Sequence, residues 1–308
     1  VEQGSIGSIP FADNYVDLLA LPQVKQAELA AEQKAEILRV LAPIHGTAIL
    51  ADGKIVKPEL EGSDWWFHKR HDPGNNPVSE DTIFQFPPVL QYKAMPMYSA
   101  YQQATLSGNG IQYEINPWKH EKVGIRLNLC GRIFARSVYN GRILWQATAP
   151  SRVRPTRPTS VLTEHELLIA REEQSGIARF DALTGEELPP LEFGGEDTRV
   201  RWLAHEKGVL FTLFGKPGEL VHPFIWKGQM RIEGGKEQFY GNELAAWSVK
   251  DEKMLWKHTA PGIVDYRTVA VYQGRIFYYA ENKGLFCLNA EDGTPVWENR
   301  QSEWPEDF

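Results

Sequence analysis

The chain has 308 residues, 42% of them hydrophobic, and a formal net charge of −7. That length and apolar content give one large or two medium domains with a sizeable core and exclude global disorder. The acidic balance disfavours generic nucleic-acid binding, two cysteines without a CxxC spacing exclude a cysteine zinc site or covalent haem, and no apolar run approaches the roughly 20 residues that span a bilayer.

In chain order, the first 57 residues read as α/β. An apolar run ending in Asp17-Leu18-Leu19-Ala20 reads as a strand. Gln23 to Leu41, rich in Ala, Glu, Gln, Lys and Leu, predicts a helix with Ala30, Ile37, Leu38 and Leu41 on its apolar face, stopped by Pro43. Thr47-Ala48-Ile49-Leu50 reads as a second strand closed by Asp52-Gly53. Strand, helix, strand predicts one parallel βαβ unit.

Residues 58–106 read as a connector. Its core runs from Asp64-Trp65-Trp66-Phe67-His68 through His71-Asp72-Pro73-Gly74-Asn75-Asn76-Pro77, dense in turn formers. His68, His71 and Asp72 are the candidate metal ligands, since imidazole and carboxylate at this spacing suit a transition metal. The other reading of the same cluster is that it caps and orders the connector.

From about Ser107 a period appears, giving a third segment, 107–308. Asn140-Gly141-Arg142-Ile143-Leu144-Trp145 is matched by Asp292-Gly293-Thr294-Pro295-Val296-Trp297. Weaker copies are Thr184-Gly185-Glu186-Glu187-Leu188 and Asp251-Glu252-Lys253-Met254-Leu255-Trp256. Gly141 to Gly185 is 44 residues, Gly185 to Glu252 is 67 and Glu252 to Gly293 is 41. Periods of about 40–45 predict four-stranded propeller blades, and the long interval predicts an insertion within Gly215–Gly241. Gly141, Gly185 and Gly293 supply the positive φ of a tight turn. Trp145, Trp256 and Trp297 are predicted to dock in the seams between blades. Pro189 replaces Trp in the second copy and Glu252 replaces Gly in the third, so distortion is expected there. Cys130 and Cys287 lie in strand-like apolar runs and read as small buried hydrophobes. The basic run Arg152-Val153-Arg154-Pro155-Thr156-Arg157 reads as a solvated loop.

The repeat resembles that of pyrroloquinoline-quinone (PQQ)-type propellers, Ala-x-Asp-x-x-x-Gly-x-x-x-Trp. The N-terminal motifs Ile9-Pro10-Phe11-Ala12-Asp13-Asn14-Tyr15-Val16-Asp17-Leu18 and Glu36-Ile37-Leu38-Arg39-Val40-Leu41-Ala42-Pro43 resemble the second half of class I S-adenosylmethionine-dependent methyltransferases, with Ile44-His45 where that family has a Gly pair. Its Gly-rich cofactor loop lies upstream of these motifs. The connector motif through Asp81-Thr82, Pro87-Pro88 and Leu90-Gln91-Tyr92 resembles the join in large bacterial proteins that fuse such a domain to such a propeller. The resemblance implies an internal piece of a longer polypeptide in the periplasm, cell envelope or outside the cell.

The expected fold is therefore mainly β: an incomplete or irregular propeller preceded by a short, half Rossmann-like α/β segment. Four clear blades are too few to close a ring, so further blades are expected downstream or hidden in 83–106 and 200–240. No complete catalytic constellation is assembled, and catalytic and cofactor-binding residues stay unassigned. The leading expectation is a non-enzymatic binding or assembly scaffold whose partner is a protein or the remaining domains, with no nucleic acid and no expected cofactor. The alternatives are a quinoprotein oxidoreductase holding PQQ with calcium, and a methyltransferase fusion in which Asp13 and Asp17 would lie near the strand end that binds substrate, although with half of that fold absent they read as structural.

Overall fold

A computed structural model describes residues 5–88, 90–94, 104–116, 131–150, 159–171, 175–193, 198–215, 224–226, 229–231 and 240–300. Cys130 and the basic run 152–157 lie outside them.

The N-terminal unit is the expected parallel βαβ. β1 (Leu18–Leu21) pairs in parallel with β2 (Thr47–Leu50) from Leu18↔Thr47 to Leu21↔Leu50, and β3 (Lys54–Val56) returns antiparallel along β2. The connecting helix, α1, covers only Ala31–Val40. The Gln23–Leu41 expectation fails at its start because tertiary contacts override propensity. Asp52 Oδ1 accepts the Gln26 N–H (2.9 Å), Leu29 turns extended, and Gln33 Oε1 caps the Ala30 N–H (3.0 Å). From α1 and its end, Ile37 and Leu41 pack on Ala48, Leu50 and Ile55. Leu18, Ile49 and Val56 stay exposed.

Asp13 and Asp17 both precede β1, at its amino end. This corrects their expected place, since ligands of parallel sheets bind at the carboxyl ends. Each is held by a cation: Asp13 by Arg39, and Asp17 by Arg142 at 2.6 Å. Arg39 also grips Glu36 and holds its carboxyl down at about 2.

Four antiparallel blades follow. Blade one is β4 (Ala104–Gly108), β5 (Ile111–Asn116), β6 (Arg132–Ser137) and β7 (Ile143–Thr148). Blade two is β8 (Ser160–Leu162), β9 (Glu166–Ala170), β10 (Ile177–Asp181) and β11 (Glu187–Leu191). Blade three begins with β12 (Arg199–Glu206) and β13 (Val209–Gly215). A two-stranded ribbon, β14 (Phe224–Trp226) and β15 (Gln229–Arg231), then intervenes before β16 (Tyr240–Ser248) and β17 (Lys253–Asp265). Blade four is β18 (Ala270–Tyr272), β19 (Arg275–Ala280), β20 (Gly284–Asn289) and β21 (Pro295–Asn299), joined to blade three by one pair, Val264↔Ala280.

The ribbon is the insertion expected between Gly215 and Gly241. Residues 200–215 hide no separate blade: they are the first two strands of the third, and the described residues of 83–94 form no strand.

The repeat turns share one geometry. Gly141, Gly185 and Gly293 sit at φ +71°, +74° and +71°, each donating its N–H to the carbonyl four residues earlier. Glu252 adopts the same left-handed conformation at φ +53° without being glycine. The distortion expected of blade three is present as two extra register shifts, at Val200/Trp202 and Gly241/Glu243, whereas blade two shows no irregularity that blades one and four lack. A register shift between the third and fourth strands recurs in all four. The core is divided among the seams: one apolar cluster between blades one and two, one between two and three, one between three and four.

Candidate functional site

Two places in this fold bring side chains together in a way that bears on function: the seams and the carboxyl ends of the first strands.

In the first seam Trp145 of blade one donates Nε1–H to the Ala182 carbonyl of blade two (2.9 Å). A Cβ on Gly185, three residues on, would lie 2.5 Å from the indole, so only glycine fits beneath it. In the third seam Trp256 donates to Ala290 O (3.0 Å), with Gly293 under its ring. Trp145 and Trp256 therefore dock as expected, whereas Trp297, expected to do the same, is 45% exposed among the described residues. A third lock was not legible in the repeats. Tyr92 of the connector donates Oη–H to Val138 O (2.9 Å) and lies over Gly141 at 2.5 Å from a built Cβ. Tyr92 thus takes the tryptophan's place on the leading side of blade one. The available signal was an aromatic residue roughly one repeat upstream of the first turn glycine.

The second seam has no such lock. There Arg179, nearly buried, makes two 2.8 Å bonds to Glu166 and a third to Glu252 across the seam. These carboxylates, Glu166 first, raise its pKa further above its ordinary value. In the apolar core of the same seam Phe193 packs 4.4 Å from the Trp247 ring.

The connector occupies the axial side. The Trp66 carbonyl accepts the Ser107 N–H of β4 (2.9 Å), and the Phe67 carbonyl accepts the Leu162 N–H of β8 (2.8 Å). His68 Nε2 accepts the His205 N–H of β12 (2.9 Å). The Pro73 carbonyl accepts the Val271 N–H of β18 (2.8 Å), and Asn75 donates its amide to Val269 O. One short segment therefore meets the first strand of each blade in turn. Phe67 enters the blade one–two core over Gly108, where a Cβ would collide with its ring and with Leu162.

The candidate metal residues are neighbours: His71 Nδ1 lies 3.6 Å from Asp72 Oδ2, and the His68 N–H donates to the His71 carbonyl (3.3 Å). His68 is buried, and burial, aided by His205, pulls its pKa down to about 3, so the ring is neutral. Since Nε2 accepts, the proton sits on Nδ1, which is buried without a hydrogen-bond partner among the described residues. His71, at φ +67°, bonds Asp64 through Nε2 (2.9 Å) and packs edge-on against Trp66. Asp64 also accepts from Ser79 Oγ and the Glu80 N–H; against the effect of burial, these bonds hold its pKa below the ordinary carboxylate value. Asp72 Oδ1 receives the Asn76 N–H (3.4 Å). Among the described residues no group of three or more His, Cys, Asp or Glu side chains is arranged to hold a metal ion.

Among the described residues the ends of the first strands are covered by Trp66, Phe67, His68 and Pro73. The cavity beside His68, lined also by Asp72, Asn75 and Trp202, has about 10 Å³, room for one water molecule. Cys287 is buried and its thiol pKa is raised by that burial, as a small core hydrophobe's would be. No helix of the described residues is long and apolar enough to cross a membrane.

Comparison with known proteins adds one family match. Residues 234–306 match the PQQ-type repeat family described as outer membrane protein assembly factor BamB. No curated protein matches the sequence. Among solved structures, BamB from Moraxella catarrhalis is similar at 14% identity and TM-score 0.40, over 65% of this chain and 52% of that one. The quinohemoprotein alcohol dehydrogenase ADHIIG from Pseudomonas putida HK5 is similar at 9% identity and TM-score 0.47, over 77% and 40%. A europium-containing methanol dehydrogenase follows at 11% identity and TM-score 0.42, over 64% and 41%. The chain thus spans about half or less of the length of these structures. The four-stranded antiparallel blades, their seam tryptophans and the matched repeat give this chain a β-propeller fold of quinoprotein-like blades, mainly β and incomplete as a ring among the described residues.

Proposed function

We propose that this chain is a non-enzymatic binding or assembly scaffold of the cell envelope or its exterior. The observation that carries the reading is the connector's hold on the first strand of all four blades, which fills the axial face with protein. A propeller whose axial face is closed offers its loops, edges and seam faces to partners instead. Exposed apolar side chains in the connector, among them Val78, Phe84, Phe86 and Leu90, supply contact area of the kind that protein interfaces use. The similarity of residues 234–306 to an assembly factor supports the same reading.

The test is reconstitution followed by a binding comparison. Purified protein incubated with PQQ and calcium is expected to show no quinone absorbance after gel filtration and no dye reduction with primary alcohols. Retained quinone with alcohol-dependent dye reduction overturns the scaffold reading. Replacing Phe84 and Phe86 by Ser is expected to leave the melting temperature within a few degrees while weakening partner association.

A further inference from the structure

Phe86, Leu90 and Phe84 are the most exposed large apolar side chains among the described residues, at 84%, 73% and 64%. They share one stretch of the connector, and Ile83 beside them is exposed too. From Thr82 to Tyr92 the sequence carries no charged residue; Asp81 precedes the stretch and Lys93 follows it. Both ends of this loop are pinned. Asp81 Oδ1 accepts the Ile83 and Phe84 N–H groups (2.9 and 2.8 Å), and the Thr82 N–H donates to Gly62 O (2.9 Å). At the far end Gln91 donates its side-chain amide to Asp13 O (3.0 Å) and Tyr139 O (2.9 Å), and Tyr92 donates to Val138 O. Among the described residues, 85–88 make no backbone hydrogen bond between these anchors. The Phe84 and Phe86 rings meet edge to face at 5.4 Å, so two aromatic rings stand together on an exposed loop held at both ends.

We propose that this loop seats the protein on the surface of a zwitterionic lipid bilayer, with Phe84, Phe86 and Leu90 entering the boundary between headgroups and acyl chains. Shape, backbone and charge each favour lipid over a protein groove. A projecting loop needs a matching cavity in a folded partner, whereas a fluid surface closes around it. Pro87 and Pro88 have no N–H to offer a pairing strand. The unpaired Gln85 and Phe86 N–H groups stay wetted among lipid headgroups, and the same groups keep the backbone out of the hydrocarbon, so only side chains enter. With no cation in the loop, acidic residues before it and a net charge of −7 on the chain, attraction to anionic lipid is absent. Burial of aromatic and aliphatic surface is the driving force that remains. The proposal rests on the scaffold reading in that it names what the scaffold's connector contacts.

The test is flotation of the full chain with phosphatidylcholine vesicles, at low and at high salt. The parent chain is expected to float with the vesicles at both, since no charge attraction is involved. Its partition coefficient should fall at least about tenfold in the Phe84→Ser, Phe86→Ser double variant. Leu183→Ser, which removes a lone exposed leucine from a turn of blade two, should leave it unchanged. The double variant Phe84→Trp, Phe86→Trp keeps the aromatic surface and should bind at least as well as the parent. A parent chain that does not float overturns the proposal, as does flotation that needs anionic lipid or that high salt abolishes. So does a serine variant that floats like the parent, or a tryptophan variant that falls as far as the serine one. Bare vesicles, with the serine variant weakened in association with a protein, would assign the loop to a protein partner: the lipid surface is then removed and the scaffold reading kept. Quinone-dependent alcohol oxidation removes the scaffold reading whatever the vesicles show.

Discussion

Pro189 and Glu252 lie on opposite sides of the same seam. The blade that lacks the docking tryptophan is followed by the blade that lacks the glycine it would have covered. Both departures from the repeat belong to one interface, and Arg179 joins its two sides by bonding Glu166 on its own blade and Glu252 on the next. Removing the guanidinium leaves Glu166 largely buried and uncompensated. Arg179→Met is therefore expected to cost about 3 kcal/mol. Glu252→Gln, on a side chain more than half exposed, should cost under about 1 kcal/mol. Urea midpoints of the two variants check the contrast, and equal losses would remove Glu166 from the account.

The glycine turns separate two effects that usually arrive together. Gly208 has φ +82° and open space around it, whereas Gly185 and Gly293 have left-handed φ and an indole overhead. Gly208→Ala should cost only backbone strain, about 1 kcal/mol. Gly185→Ala and Gly293→Ala must also push the tryptophan out of its seam and should cost about 3 kcal/mol each. Thermal melts of the three variants decide it.

Trp145→Ala and Trp256→Ala are expected to lose about 3–5 kcal/mol, the range for emptying a large aromatic site. Tyr92→Phe keeps the ring over Gly141 and loses one hydrogen bond, about 1 kcal/mol. The readout is denaturant unfolding, with indole emission reporting the tryptophan seams.

Acid should loosen the axial segment. Burial depresses the His68 pKa to about 3, and burial also lowers those of His205 and His258. The unfolded chain takes up these protons near the ordinary value of about 6.5 while the folded chain refuses them. Stability is therefore whole above about pH 6.5. It falls as pH drops toward 3, by about 1.4 kcal/mol per pH unit for each group that titrates only in the unfolded state. His68→Gln keeps an acceptor for the His205 N–H and removes the titration. Its denaturation midpoint should depend less steeply on pH between 6.5 and 4.5 than that of the parent chain.

The blades were legible because their information is in side chains that recur: Gly141 with Trp145, Gly293 with Trp297, and a strand before each. The βαβ order was legible from apolar spacing, but not the late start of α1, which Asp52 sets from outside the propensity window by accepting the Gln26 N–H and Gln33 fixes by capping Ala30. The connector's part was hidden for a physical reason. Trp66, Phe67 and Pro73 reach the blades through backbone carbonyls, and a carbonyl has the same chemistry at every residue. His68 was singled out for its imidazole, which the structure uses as a neutral acceptor for a backbone N–H. The exchange of a Trp–Gly lock for Arg179 and Glu252 was visible only as two separate irregularities, because their shared interface is defined by the neighbouring blade.

The axial segment leaves the ribosome before the strands of the four described blades, yet its bonds are to all four. Ser107 reaches it first, then Leu162, then His205, and Asn75 closes on Val269 only after 194 further residues. Assembly therefore has a direction, with residues 66–75 acting as a template that each arriving sheet completes. Contacts of such long sequence separation slow folding. A chain interrupted after its second blade would carry the His68–Asn75 half of that template without the strands it bonds, a form suited to recognition by chaperones and proteases before the last blade closes.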